Sequence, residues 1–309
     1  MTQISSKEWS VLYLGVSDGE RFRHLRDSFF PGLTVVAFDP FLSRPDFSVD
    51  TAAALRKAQL WNTDGTDFMF HVRCFEGDRD VPLIQEQIKG KKLLLISDIR
   101  GCAMLEDGVT PDKASDNSLQ WDAIKALRPV SSLVKFQASD DNEQFFVYPP
   151  GTLLKQVFQN YGSCELRLMI DGVPSILKRY DMWEISRAMV HHHEHLRGLV
   201  YDSTRNLAKS TKCLDNCFDC EVLWQTISQY SAKNSLSPYD VLSMMMESFG
   251  ACLPLGNVTP DRDSQNHKIV TPCMLQQQLS NVEAYLRVGE VTEAIVLLET
   301  ASREESCND

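Results

Sequence analysis

No stretch of the 309-residue chain approaches the roughly 18 consecutive apolar residues that a membrane-spanning helix requires, and its first ten residues are polar, without the apolar core of an export signal. The expectation is a protein that works in the cytoplasm, away from membranes. Basic residues are in deficit: Lys and Arg number 31 against 42 Asp and Glu, a formal charge of −11. That balance excludes a polybasic grip on nucleic acid or on an anionic lipid surface, while leaving room for a local basic groove. There is no G-x-G-x-x-G fingerprint, no G-x-x-x-x-G-K-[ST] phosphate loop and no repeat of fixed period. The nine cysteines are an odd number in a chain without an export signal, so free thiols are expected in preference to a disulfide framework.

What is present is ample apolar material. Hydrophobic residues make up 43% of the chain, enough for a sizeable core in one large domain or two ordinary ones. Short apolar, partly β-branched runs at 10–15, 33–38, 68–75, 91–96 and 131–136 read as strands buried on both faces, with further candidates at 144–148 and 164–170. Helical patterns fall at 20–30 and 118–127. Strands alternating with helices predict an α/β fold with a mainly parallel, doubly wound sheet. From residue 182 the pattern turns almost wholly helical, with Ser237-Pro238 as a cap and first-turn pair and a helical hairpin beyond residue 275. Two regions are therefore expected, an α/β domain over 1–181 and a helical region over 182–309.

The chemistry-bearing residues cluster at the expected strand ends. The first strand runs into Gly15-Val-Ser-Asp-Gly19, a G-x-x-x-G turn that opens a helix, where a ligand can approach the backbone and free N–H groups. Many α/β turns hold two glycines for structure alone. Asp39 ends the second strand, about 20 residues further on, where a carboxylate accepts hydrogen bonds from ribose hydroxyls. The pair points to a nucleoside-containing cofactor, and the lack of close-packed glycines favours S-adenosylmethionine over a dinucleotide. Phe75, at the third strand's end, is a candidate cover for an adenine and equally a core residue. Asp98 ends the fourth strand, Lys135 lies within the fifth, and Glu165 opens a later one. A strand lysine among apolar neighbours is costly unless paired, and desolvation or a nearby cation turns it into a general base.

Tyr13-Leu-Gly-Val-Ser-Asp-Gly19, Phe22-Arg-His-Leu-Arg-Asp-Ser-Phe29, Leu94-Leu-Ile-Ser-Asp-Ile-Arg100, Pro129-Val-Ser-Ser-Leu-Val-Lys135 and Glu165-Leu-Arg-Leu168 together resemble the poxvirus cap-specific mRNA (nucleoside-2′-O-)methyltransferases, which double as stimulatory subunits of poly(A) polymerase. The resemblance covers about residues 10–181. It implies a Rossmann-like methyltransferase sheet using S-adenosylmethionine, with a Lys-Asp-Lys-Glu set in which Asp98, Lys135 and Glu165 match three members. Lys135 would take the proton from a ribose 2′-hydroxyl at the 5′ end of capped mRNA. Gly15, Gly19, Asp39, Phe75 and Asp98 match cofactor positions, and Asp181, in Tyr180-Asp181, matches an acceptor for the edge of the cap base. The family's first lysine has no counterpart, since Lys7 is the only lysine ahead of the first strand. The aromatic that should follow Lys135 is replaced by Gln137-Ala-Ser-Asp-Asp141. These departures keep open a second reading, a catalytically silent subunit that binds RNA or a protein partner, the partner meeting the C-terminal helices.

Other signals are weaker. Cys213, Cys217 and Cys220 follow His191-His-His-Glu-His195, but no zinc-finger spacing is met and no metal is expected. The histidines are expected on a solvated helix face, and Met244-Met-Met246 in a core. Arg21, Arg23, Arg26, Arg44, Arg100 and Arg128 are candidate phosphate contacts.

Overall fold

The computed structural model describes residues 6–17, 19–40, 67–101, 112–137, 144–157, 165–197, 200–201, 218–249 and 269–270. Its centre is a seven-stranded sheet ordered β3-β2-β1-β4-β5-β8-β7. The strands are β1 (Trp9–Leu14), β2 (Thr34–Phe38), β3 (Phe68–His71), β4 (Lys92–Ser97), β5 (Ser131–Phe136), β7 (Thr152–Lys155) and β8 (Leu166–Asp171). Neighbours from β3 to β5 pair in parallel, as the apolar runs predict, while β8 lies antiparallel to both β5 and β7.

Helices cover the sheet. Alternation along β1 sends Leu12 and Leu14 into a large core, and Val11 with Tyr13 into a second cluster beneath α1 (Glu20–Phe29). The large core also takes in α2 (Gly77–Gln87), α3 (Lys113–Leu127) and α4 (Met182–His191) through Ile84, Ile124 and Met189. Beyond these, α5 (Phe218–Asn234) and α6 (Pro238–Phe249) close a third cluster around Trp224 and Val241. Tyr230 of α5 meets Phe29 of α1 edge-on at 5.6 Å. The Ser237 hydroxyl accepts the Tyr239 N–H, as the cap motif predicts.

Four sequence expectations are revised. The third strand stops at His71, because Arg73 turns away to pair with the fully buried Asp80 of α2 at 2.6 Å. The helix expected from 118 begins at Lys113, capped by the Asp112 carboxylate, which accepts the Ser115 N–H at 3.0 Å. Its early turns bury Asp116, Asn117 and Gln120, so no apolar period betrays them. The segment 144–148 is not in the sheet: β6 (Phe145–Tyr148) pairs with β9 (Lys178–Asp181) in a separate two-stranded ribbon. Finally, His192 and His193 are buried, not solvated: a π-turn over His192–Leu196 and the edge of Phe218 at 4.8 Å enclose them. Cys213, Cys217 and the hairpin beyond residue 275 lie outside the described residues. Among the described residues no helix is long and apolar enough to cross a membrane.

Candidate functional site

The parallel strands deliver their C-terminal ends to one edge of the sheet, and the antiparallel β8 begins there too. Lys135 of β5 stands opposite Arg167 of β8 in register, so both side chains rise from the same face. Asp98 follows the end of β4, beside β5, and Glu165 immediately precedes β8. The three residues expected to act together do meet. The Lys135 Nζ lies 2.9 Å from Asp98 Oδ1 and 2.8 Å from Glu165 Oε2. The lysine side chain is 13% exposed, so the pairing, not solvent, compensates most of its charge.

Two residues complete the arrangement. Arg167 Nη2 lies 2.9 Å from the same Asp98 oxygen and 3.4 Å from Glu165 Oε1. Two cations therefore face two carboxylates, and the set is electrically balanced. Gln156 donates to Glu165 Oε1 at 2.7 Å and fixes its orientation. Below them, burial raises the Tyr13 hydroxyl above its ordinary pKa, with the Asp98 carboxylate adding to the rise. The sequence reading singled out neither Arg167 nor Tyr13. The signal for Arg167 was its place two residues after Glu165, hence on the same strand face.

The glycine turn lies beside this cluster. Gly15 has φ +81°, and its N–H donates to Phe38 O while Asp98 N–H donates to Leu14 O, both within 2.8 Å. A Cβ at Gly15 would stand 2.7 Å from the backbone C and O of Asp98, so only glycine admits this approach. Gly19, at φ +71°, caps α1. The Asp39 carboxylate accepts the Ser17 N–H at 2.7 Å, tying the acid after β2 to the turn after β1. Phe75 is 4% exposed and packs edge-on against Phe38 at 5.7 Å, within the core.

Asp181 belongs to the ribbon. Its Oδ1 accepts the N–H groups of Trp183 and Glu184 at 3.0 and 3.1 Å, capping α4, and its Oδ2 accepts from Gln144 at 2.9 Å. The neighbouring Tyr180 is buried, its hydroxyl donating to Pro149 O.

The family model described as "Poly A polymerase regulatory subunit" matches residues 1–246. That span passes the expected boundary after residue 181 and includes α5 and most of α6. The chain is similar to the cap-specific mRNA (nucleoside-2′-O-)-methyltransferase of myxoma virus strain Lausanne, 23% identical over 173 residues, covering 55% of this chain and 47% of that protein. The protein of the same description from strain Uriarra matches with the same identity and coverage. The match thus spans about half the length of these curated relatives. Among solved structures, bluetongue virus VP4, titled as a multifunctional RNA-capping production line, aligns with a TM-score of 0.41 and 15% identity, over 59% of this chain and 28% of that one.

Proposed function

The chain belongs to the poly(A) polymerase regulatory subunit family, and from that premise we propose that it is a cytoplasmic RNA methyltransferase that uses S-adenosylmethionine to methylate the ribose 2′-oxygen at the 5′ end of capped mRNA, on a Rossmann-like methyltransferase sheet. The observation that carries this reading is Lys135 held between Asp98 and Glu165 at the carboxyl edge of the sheet.

The residues present fit the cofactor. The glycine turn leaves Gly15 without a side chain where backbone segments close in, and Asp39 stands at the adjacent strand end. Gly15, Gly19, Asp39 and Asp98 would hold the cofactor; Phe75 would contribute from the core layer beneath. When bound, S-adenosylmethionine supplies an electrophilic sulfonium methyl. The protein's own share is alignment and proton handling. Asp98 Oδ1 and Glu165 Oε2 fix the Lys135 Nζ, which in its neutral form accepts the proton of the ribose hydroxyl. Arg167 engages the same two carboxylates, so their charge is not spent on Lys135 alone. Most of the acceleration comes from holding the hydroxyl in line, with proton removal adding a smaller factor. Asp181 would accept from the edge of the cap base, exchanging its bond to Gln144 for one to the base. The helices α5 and α6 offer a surface to a protein partner, in keeping with the family's description as a subunit.

One observation favours a second reading. The second cation of the cluster is Arg167, whose guanidinium stays charged and cannot substitute for a lysine that loses a proton. A silent subunit would bind capped RNA and a partner without transferring a methyl group. Incubation with methyl-labelled S-adenosylmethionine and short capped or uncapped RNA separates the two. Label should enter capped RNA and disappear with Lys135→Ala; binding of RNA and cofactor without transfer refutes the enzyme.

A further inference from the structure

Beside the Lys135 cluster is an arginine whose donors are left over. Arg100 lies two residues past Asp98, and its Nη1 donates only to the neighbouring Ile99 O at 3.3 Å. Its Nε and Nη2 are buried and have no hydrogen-bond partner. Arg167 repeats the pattern, with Nη2 in the carboxylate cluster and a buried Nη1 that has none. The segment carrying Arg100 is anchored: Gly101 N–H donates to the fully buried Asp116 at 2.9 Å.

Burying a donor without a partner is costly, so such groups in a folded protein ask for an explanation. Burial pulls the Arg100 pKa below its ordinary value, while Asp116, Glu165 and Asp98 favour its charge and Arg167 opposes it. A guanidinium remains charged regardless, and its fork of N–H groups matches a phosphate's oxygens in spacing and charge. The other arginines that the sequence offers as phosphate contacts and whose side chains are described stand toward the opposite edge of the sheet: Arg26 donates to Leu33 O just ahead of β2, Arg23 lies over the Phe68 ring at the start of β3, and Arg128 caps α3 just ahead of β5.

We propose that Arg100, with the spare donor of Arg167, is the seat of the RNA phosphate next to the nucleotide whose ribose faces Lys135. The seat rests on the RNA-binding part of the function proposed above. It sets the register of the strand: a phosphate fixed beside Asp98 determines which ribose reaches Lys135. A net charge of −11 makes this economy sensible, since the RNA end is held at one built position and not along a basic tract.

The test is equilibrium binding of a fluorescein-labelled capped hexaribonucleotide to the full chain across a KCl series, with S-adenosylmethionine binding measured in parallel by calorimetry. Arg100→Gln should weaken RNA binding about tenfold and flatten the slope of log K against log[salt] by about 0.7, the value for one phosphate of a single strand, leaving S-adenosylmethionine binding unchanged. Arg100→Lys, which keeps the charge, should restore the slope and only part of the affinity. Loss of S-adenosylmethionine binding with the RNA slope unaltered would assign the arginine to the cofactor carboxylate and overturn the seat, as would RNA binding equal to wild type in both variants. A flattened slope in a protein that transfers no methyl group supports the seat while refuting methyl transfer; a wild-type chain that binds no RNA overturns both.

Discussion

Gly15→Ala is the substitution that the geometry penalises most sharply at the junction of the cofactor turn and the reacting cluster. Two costs add. A residue with a Cβ held at φ +81° loses about 1–2 kcal/mol to steric strain. The new methyl also meets Asp98 C and O at 2.7 Å and Ile99 N at 2.9 Å, all backbone atoms with no rotamer to move aside. Forcing a group into such a packed site costs about 1–3 kcal/mol more, for a sum near 2–5 kcal/mol. At about 2–4 °C per kcal/mol for a domain of this size, the melting temperature should fall by about 4–20 °C in calorimetry. Relief must come by pushing Asp98 away, which loosens its 2.9 Å contact with Lys135, so methyl transfer should drop by about tenfold or more. Gly90→Ala separates the two costs, since Gly90 has φ +77° but nothing within 4 Å, and should show the strain alone. If Gly15→Ala melts like Gly90→Ala and transfers methyl at the wild-type rate, the close approach of the turn to Asp98 has no bearing on the site.

Two more outcomes follow from a lysine and a histidine on the opposite face of the sheet. The Lys155 amine, half-buried at the end of β7, is pulled from 10.5 to about 8 by desolvation; a lysine with a lowered folded value is a stability cost at every pH below it. Lys155→Met should therefore stabilise the protein by about 2–3 kcal/mol at pH 7 in urea unfolding, and a loss of stability would show that the amine has a favourable partner. His192 is pulled to about 2, first by burial, then by Lys155, His193, Arg197 and His191. Its neutral form is the folded one, so stability is full above about 6.5 and declines as the pH falls, by about 1.4 kcal/mol per unit between pH 6 and 4.5. Melting of His192→Gln over that range should lose less than wild type, and an equal loss would place the acid sensitivity elsewhere.

The site was legible where its residues close short apolar runs. Gly15, Asp39 and Asp98 each follow a strand that reads plainly from its β-branched and leucine content, and a parallel sheet brings such ends together whatever the intervening loops do. Lys135 stood out because it interrupts an apolar run. Arg167 did not, since an arginine in a half-exposed strand is unremarkable until the register with Lys135 is known. Local polarity misled elsewhere. Asp116, Asn117 and Gln120 are buried because they serve backbone groups, Asp116 accepting from Gly101 N–H, Gln120 donating to Lys135 O at 3.2 Å and Asn117 to Gln137 O, and this hid the first five residues of α3. The histidine run looked solvated because burial by α5, far along the chain, leaves no mark in its own spacing. Asp181, expected as a base-edge acceptor from its neighbour Tyr180, also caps α4, a duty that its sequence neighbours do not announce.

The central claim is that this cluster directs a methyl group to a ribose 2′-oxygen. The most direct measurement is alkaline hydrolysis of capped RNA after incubation with methyl-labelled S-adenosylmethionine, because a 2′-O-methyl group blocks the hydroxyl that attacks the adjacent phosphodiester. Label recovered in an alkali-resistant 5′-terminal fragment, and absent with Lys135→Ala, is the predicted result. Label released as ordinary mononucleotide, or none incorporated by a chain that binds both substrates, would contradict it.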